Sequence, residues 1–271
     1  MEIRKLYPNG KKKALTFSYD DGVLQDVRLV EILNKYGLKG TFNLNSGIFG
    51  VGMVFANGNL VTRLPADYDY RKLYCGHEVA VHGVNHPEHA KLSYEQNYRE
   101  IVDDQKALTE LMGYPIRGMA YAFGSYNDDC IKIEREAGIR YARIVGDSLG
   151  FGLPDEPLKL CATCHHSCKS MDELLSRFSS TDDELALFYI WGHSYEFDEA
   201  DTWGNMDNIC AKAAGRDDTW YATNIDIIDY IDASKLLTVD QNTVSNHSDL
   251  TLWFEVDGKV QKLAANESKT F

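Results

Sequence analysis

The stretch Leu15-Thr16-Phe17-Ser18-Tyr19-Asp20-Asp21-Gly22 sets two carboxylates side by side after a run of β-formers. Adjacent carboxylates repel, and an ordinary turn needs only one, so the pair calls for something that neutralises half of it. Further along, His82-Gly83-Val84-Asn85-His86-Pro87 holds two imidazoles at i and i+4, and Trp191-Gly192-His193 ends a late apolar run with a third. One Asp and two His make a three-ligand set that leaves positions open on a divalent metal for water or substrate. Each piece also has a plainer reading. Asp21 could cap the next helix, the paired histidines could lie on the surface, and His193 could sit in a core. Their combination at three strand ends favours a site.

The elements that must carry these residues follow from periodicity. Short apolar runs predict strands at 14–19, 39–45, 77–82, 118–123, 138–144, 185–191 and 219–223. Between them lie helical patterns. Val23, Val27, Val30, Leu33 and Leu38 recur at helical spacing with Gly37 as a C-cap. Ser93 and Gln96 form a capping box for a helix that stops at Gly113, and further helices are expected near 127–137, from Ser170, at 203–214 and at 225–235. Seven strand–helix alternations predict an α/β fold with a parallel sheet, doubly wound or closed as a barrel. In either form, active groups gather past the carboxyl ends of the strands, where Asp20, Asp21, His82, His86 and His193 all fall. Residues 46–76 read as a loop insertion. After about residue 240 the rhythm changes to alternation around Asp257-Gly258, a type I′ turn signal, so 1–239 is expected to be the catalytic domain and 240–271 a small β-hairpin appendage.

Composition sets the outer bounds. A chain of 271 residues suffices for one large α/β domain, and a formal charge of −13 with a pI near 5.0 opposes binding to nucleic acid or anionic lipid. Neither a secretory leader nor an apolar run long enough to span a bilayer is visible, so a cytoplasmic protein is expected, or a secreted one if a leader was removed. The oligomeric state is not legible. Six cysteines include three in Cys161-Ala162-Thr163-Cys164-His165-His166-Ser167-Cys168. That segment could attach a c-type haem or hold structural zinc through Cys161, Cys164, His165 and Cys168. The reading favoured is a loop of reduced thiols near the active rim, with His165 or His166 touching substrate.

These motifs resemble the polysaccharide deacetylase superfamily. The first signature there is a Thr-Phe-Asp-Asp-Gly type strand end, matched here with two extra residues between Phe17 and the aspartates. The His82/His86 motif, followed by Pro87, matches the second. Ala122-Phe123-Gly124 stands where a Pro-Tyr-Gly ends the third, and His193 matches a histidine closing a late strand. The resemblance implies an irregular seven-stranded (β/α) barrel and removal of an acetyl group from an N- or O-acetylated sugar. It also implies that Asp21, His82 and His86 hold a divalent metal, zinc first, with cobalt, nickel, iron or manganese as alternatives. Asp20 would then be the general base, His193 the general acid, and the Phe123 N–H an oxyanion donor. An arginine that orients the base in this family is replaced by Ala120, so Arg143 is expected to substitute for it, with Arg117 as second choice. Tyr126, Trp191, Tyr195 and Trp203 are aromatic candidates for stacking on a sugar, at even odds with plain packing. A C–N hydrolase for a small amide or cyclic imide uses the same chemistry. An iron oxygenase would leave Asp20 and His193 without roles, and a non-catalytic carbohydrate-binding protein would account for the missing arginine.

Overall fold

The computed structural model describes residues 2–54, 58–153 and 155–271. Its centre is a nine-stranded, parallel sheet. In chain order the strands are β1 (Lys13–Asp20), β2 (Gly40–Leu44), β3 (Glu78–Val81), β4 (Gly118–Ala120), β5 (Tyr141–Asp147), β6 (Leu160–Ala162), β7 (Cys164–His165), β8 (Ala186–Gly192) and β9 (Thr219–Tyr221). The pairing path runs β7-β8-β1-β2-β3-β4-β5-β6. Its two ends, β6 and β7, are consecutive in the chain and separated by Thr163 alone, whose N–H donates to Tyr189 O at 2.8 Å. The sheet therefore curls until one segment, 160–165, bridges β5 on one side and β8 on the other.

The sheet differs from the sequence reading in two places. The sequence reading puts Cys161–Cys168 in a loop and makes 219–223 a full strand. Instead, 160–165 completes the curl, and β9 pairs only with Lys13–Leu15, the first part of β1, below the place where β2 takes over at Phe17. The short alternation in 160–165 is masked by cysteines and histidines, which carry little β signal.

Strand β1 shows why the curl forms. All eight of its residues are buried. Leu15, Phe17 and Tyr19 join Leu29, Val30 and Leu33 of helix α1 (Asp26–Lys35) in the outer core. The alternate residues, Thr16, Ser18 and Asp20, bond to Asn224 and Asn43. A strand with both faces buried, one against helices and one against other strands, is what a curled parallel sheet requires. The expected helix from the Ser93 capping box runs from Tyr94 through a π turn at Arg99–Asp103 to Met112, ending at left-handed Gly113. Asp128–Ala137, Met171–Ser180, Trp203–Ala213 and Asn224–Ser234 supply further helices.

The carboxyl-terminal segment is more than a hairpin. The expected turn at Asp257-Gly258 is present, with φ of 49° and 73°. Its strands, Leu252–Val256 and Lys259–Leu263, take Arg4–Leu6 as a third, antiparallel partner. A second sheet joins Leu237–Asp240, Thr243–Asn246 and Ser268–Thr270. Leu252, Phe254 and Leu263 pack in one cluster with Tyr7, Ala14 and Leu187, against the starts of β1 and β8. The segment thus covers the end of the sheet opposite the carboxyl ends of the strands. Among the described residues no helix is long and apolar enough to cross a membrane.

The described residues of the insertion at 46–76 are also structured. Gly52–Val54 and Leu60–Thr62 form a two-stranded ribbon. It docks on the turn after β1, where Leu24 N donates to Thr62 O at 3.0 Å and Leu64 N to Gly22 O at 2.8 Å.

Candidate metal and catalytic site

Asp20, Asp21, His82, His86, Phe123, Trp191, His193 and Tyr195 converge, with Met53 and Val145, on one cavity of about 440 Å³ at the carboxyl ends of the strands. Three of these residues leave their strands in the left-handed region: Asp21 at φ 80°, His86 at φ 56° and Phe123 at φ 59°. Such φ values are costly for residues with a Cβ and cluster where a side chain must be aimed. The next residue, Gly22, also has positive φ, and a Cβ there would lie 2.6 Å from Leu44 Cδ2.

Asp21, His82 and His86 bring one candidate ligand atom each to within 4.8 Å of one another. The His82 Nδ1 proton goes to Ala120 O at 2.8 Å, because a carbonyl can only accept. Its Nε2 is therefore left as a lone pair, the tautomer a metal needs. Burial holds His82 down at about 4 and also lowers His86, so both imidazoles are neutral near pH 7. His86 Nε2 lies 3.4 Å from Asp21 Oδ1, and the Phe123 ring meets the His86 ring edge-on at 4.5 Å. Two neutral imidazoles and one carboxylate, buried and mutually close, fit a divalent ion.

Asp20 sits beside this set with different company. Its Oδ1 accepts from Asn43 Nδ2 at 2.8 Å, and its Oδ2 accepts from the buried Arg143 guanidinium. Arg143 lies directly across the β4–β5 ladder from Ala120. The guanidinium thus enters from the strand next to the one that carries Ala120. Burial alone would raise the Asp20 carboxyl; Arg143, with His82 and His193, outweighs it and holds the group well below the usual range. Arg143 also stacks over the Trp191 ring, 4.6 Å from its centroid. Arg117, by contrast, pairs with Asp229 at 2.7 Å and takes no part here.

His193 Nε2 lies 3.8 Å from Asp20 Oδ2, the oxygen that Asn43 does not hold. Burial opposes a charge on His193, but Glu196 and then Asp20 and Asp21 prevail and raise it above its ordinary value. The turn that carries it is tied down by Ser194, whose Oγ donates to the buried Asp26 Oδ1 at 2.5 Å, while Tyr74 holds Oδ2 at 2.8 Å.

Several expected residues lie elsewhere. Tyr126 stacks on Tyr121, with centroids 4.9 Å apart, and does not line the cavity. Trp203 is buried against Phe197 and donates to Asp198. Neither lines the cavity: the Tyr126 ring turns back onto Tyr121 within the loop after β4, and Trp203 packs inward at the start of its helix. His165 and His166 also miss the cavity and turn onto Glu196, at 3.0 and 3.1 Å. Cys161, Cys164 and Cys168 are free thiols. Among the described residues no cysteine joins a metal-capable group, since β7 directs His165 to the carboxylate instead.

Three residues were missed. Arg63, buried at the end of the docked ribbon, donates through Nη2 to Asp21 Oδ1 at 3.0 Å. Nothing in the local sequence of the insertion points to it. Asn43 and Glu196 were more accessible. Asn43 is a polar residue in an apolar strand, and Glu196 stands three positions after His193.

Comparison with known proteins bears on the family and the fold. A family model described as polysaccharide deacetylase matches residues 7–142. Peptidoglycan-N-acetylglucosamine deacetylase PgdA of Listeria monocytogenes is 28% identical over 197 residues, covering 66% of this chain and 38% of the relative. The chain therefore spans well under half the length of that curated protein. A Mycobacterium smegmatis structure described as a polysaccharide deacetylase aligns at a TM-score of 0.61 and 16% identity, covering 89% of this chain and 98% of that one. A family 4 acetyl xylan esterase of Clostridium thermocellum, solved with a cobalt ion, aligns at 0.52 and 14% identity over 80% and 90%. At such identities these two structures speak for the fold. The family match runs through half of the 271 residues and takes in the strand ends that present both aspartates and the paired histidines, so the protein is a member of the polysaccharide deacetylase family.

Proposed function

We propose that the protein is a metal-dependent hydrolase that removes an acetyl group from an N- or O-acetylated saccharide. One observation carries the reading: an ionised Asp20, held by Asn43 and Arg143, stands beside an Asp21–His82–His86 set, with His193 at 3.8 Å from the same carboxylate. A divalent ion held by Asp21, His82 and His86, zinc by preference for this donor set, would supply Lewis acidity to the acyl carbonyl and to water.

The chain's own groups divide the remaining work. Asp20 accepts the proton of the attacking water through Oδ2, the oxygen that faces His193. His193, favoured in its charged form, gives a proton to the departing nitrogen or oxygen, so the sugar leaves as a neutral amine or alcohol and the acyl group as acetate. The Phe123 N–H, turned by its left-handed backbone, stabilises the developing oxyanion. Trp191, which carries Arg143 over its ring, and Tyr195 line the cavity as aromatic wall for the sugar. Met53 and Val145 provide apolar wall for the acetyl methyl.

The test is release of acetate from N-acetylglucosamine oligomers, peptidoglycan fragments and acetylated xylan, with zinc or cobalt supplied and with chelator. Acetate that appears with metal and is lost on chelation supports the reading. Asp20→Asn should lower kcat by about 10²–10⁴-fold while metal is retained; full activity in that variant would remove Asp20 as base. Small amides and cyclic imides belong in the same panel, and turnover of those alone would replace the saccharide.

A further inference from the structure

Beside the catalytic cavity lies a second cluster of titratable groups with no task in the mechanism above. Glu196 Oε2 is 3.0 Å from His165 Nε2, 3.1 Å from His166 Nε2 and 3.3 Å from the His193 backbone nitrogen. The other oxygen, Oε1, is 3.3 Å from His193 Nδ1, close enough for an ion pair although the ring is not turned into hydrogen-bond geometry. Two plainer roles compete. The bond to the His193 amide could make Glu196 a cap for the short turn it opens. The three side chains, with ligand atoms within 4.8 Å, could also take a second cation.

The outer nitrogens of the two imidazoles argue against a cation. A metal takes the Nε2 lone pair and leaves the proton on Nδ1, which then needs an acceptor. His166 Nδ1 is buried with no partner, so a proton there would be an orphaned donor. His165 Nδ1 receives the Ser167 amide at 3.3 Å and has the Ser167 hydroxyl at 2.7 Å, both able to donate to it. Each imidazole therefore keeps its proton on Nε2 and directs it at one carboxylate oxygen. Packing holds them there. Tyr19 stacks on His166 at 5.7 Å and 11°, and a Cβ on Gly192 would come within 2.1 Å of His166 Nδ1.

We propose that Glu196, clamped through Oε2 by His165 and His166, is a positioning residue for His193: Oε1 keeps a proton on His193 Nδ1 and aims Nε2 at the leaving group. This rests on the hydrolase reading above and adds to it the use of the Cys161–Cys168 segment. His165 and His166 act on the reaction through Glu196 and do not touch substrate.

The leaving group provides the test. A poor leaving group, the amine of an N-acetylglucosamine oligomer, needs the acid; the phenolate of 4-nitrophenyl acetate does not. Glu196→Gln should lower kcat on the oligomer by about 10²-fold, the lower end of what a positioned acid contributes, with KM little changed, and leave the aryl ester within a few-fold. His165→Gln, at the more exposed imidazole, should show the same pattern more weakly. Equal losses on both substrates would reduce Glu196 to a structural cap and overturn the proposal.

Nitrogen-15 spectra of the imidazoles, taken on the full chain in chelator, give a readout independent of activity. Protons on Nε2 of His165 and His166 and on Nδ1 of His193 support the clamp; a proton on Nδ1 of His166 refutes it. Zinc titration should find one ion per chain in both wild type and Glu196→Gln, and two falling to one would assign the cluster to a cation. If the wild type cleaves neither substrate, the hydrolase reading has failed, and the spectra still decide the clamp.

Discussion

Asp21, His82 and His86 on the cavity floor, and His165, His166 and Glu196 beside it, are both sets of two imidazoles and one carboxylate with candidate ligand atoms within 4.8 Å. What separates them is the far side of each ring. His82 spends its Nδ1 proton on Ala120 O and turns a lone pair inward, whereas His166 has no acceptor for such a proton and turns an N–H inward. The first set can receive a cation and the second can hold an anion. Residue types alone do not distinguish these, and the decision is made one bond further out. The carboxylates differ in the same way. Asp20 has the Arg143 guanidinium and is kept ionised, while Glu78, deep in the curled sheet, has only neutral donors: Thr41 Oγ1 at 2.8 Å, Tyr141 OH at 2.8 Å and Ile225 N at 2.9 Å.

The sharpest way to break this contrast is to remove one imidazole from each set. His82→Ala should abolish stoichiometric zinc and with it acetate release, a loss beyond the 10–100-fold that outer-shell changes cost. His165→Gln should keep its zinc. Metal analysis of the purified proteins checks both, and retained zinc in His82→Ala would remove that residue from the ligand set.

A smaller effect is expected at the buried ion pair. Arg143→Met leaves Asp20 charged, 3% exposed and without its cation, a change that typically costs ~3–5 kcal/mol of stability. Adding Asp20→Asn to Arg143→Met should recover part of that loss, because the uncompensated charge goes with it. Urea unfolding of the two single variants and the double variant in chelator gives the coupling; additive losses would mean that the two groups do not support one another.

Much of this was legible in the chain. The strand ends that carry Asp20, Asp21, His82, His86 and His193 are marked by long apolar runs, and those runs survive into the structure because burial on both faces leaves little freedom of composition. Arg143 could be suspected from a family motif that lacks its arginine and from the alternation of Ile139, Tyr141 and Arg143. The placement of 160–165 could not. A strand of six residues that changes partners at Thr163 leaves no run to detect, and its histidines invite a loop or ligand reading. Arg63 was hidden for a different reason: it belongs to an insertion, and only the bonds Leu24–Thr62 and Leu64–Gly22 bring it to Asp21.

The contrast between Asp20 and Glu78 carries the smallest and most specific expectation. Burial, against three neutral donors, raises the Glu78 carboxyl from an ordinary value near 4.5 to about 7. Between those two values the unfolded chain releases this proton and the folded chain keeps it. Glu78 therefore disfavours folding progressively as pH rises from about 4.5 to about 7, by up to ~1.4 kcal/mol per unit, with no further change above. In Glu78→Gln that dependence should vanish, since the amide cannot ionise; its oxygen can serve Thr41 and Ile225, and the Tyr141 hydroxyl can accept from its NH2 in place of donating. Unfolding of wild type and variant in chelator at pH 5 and pH 8 isolates the difference. The variant should gain stability relative to wild type at the higher pH. A constant difference at the two pH values would mean that Glu78 is ionised throughout, and that neutral donors inside the curled sheet serve a carboxylate as well as the guanidinium serves Asp20.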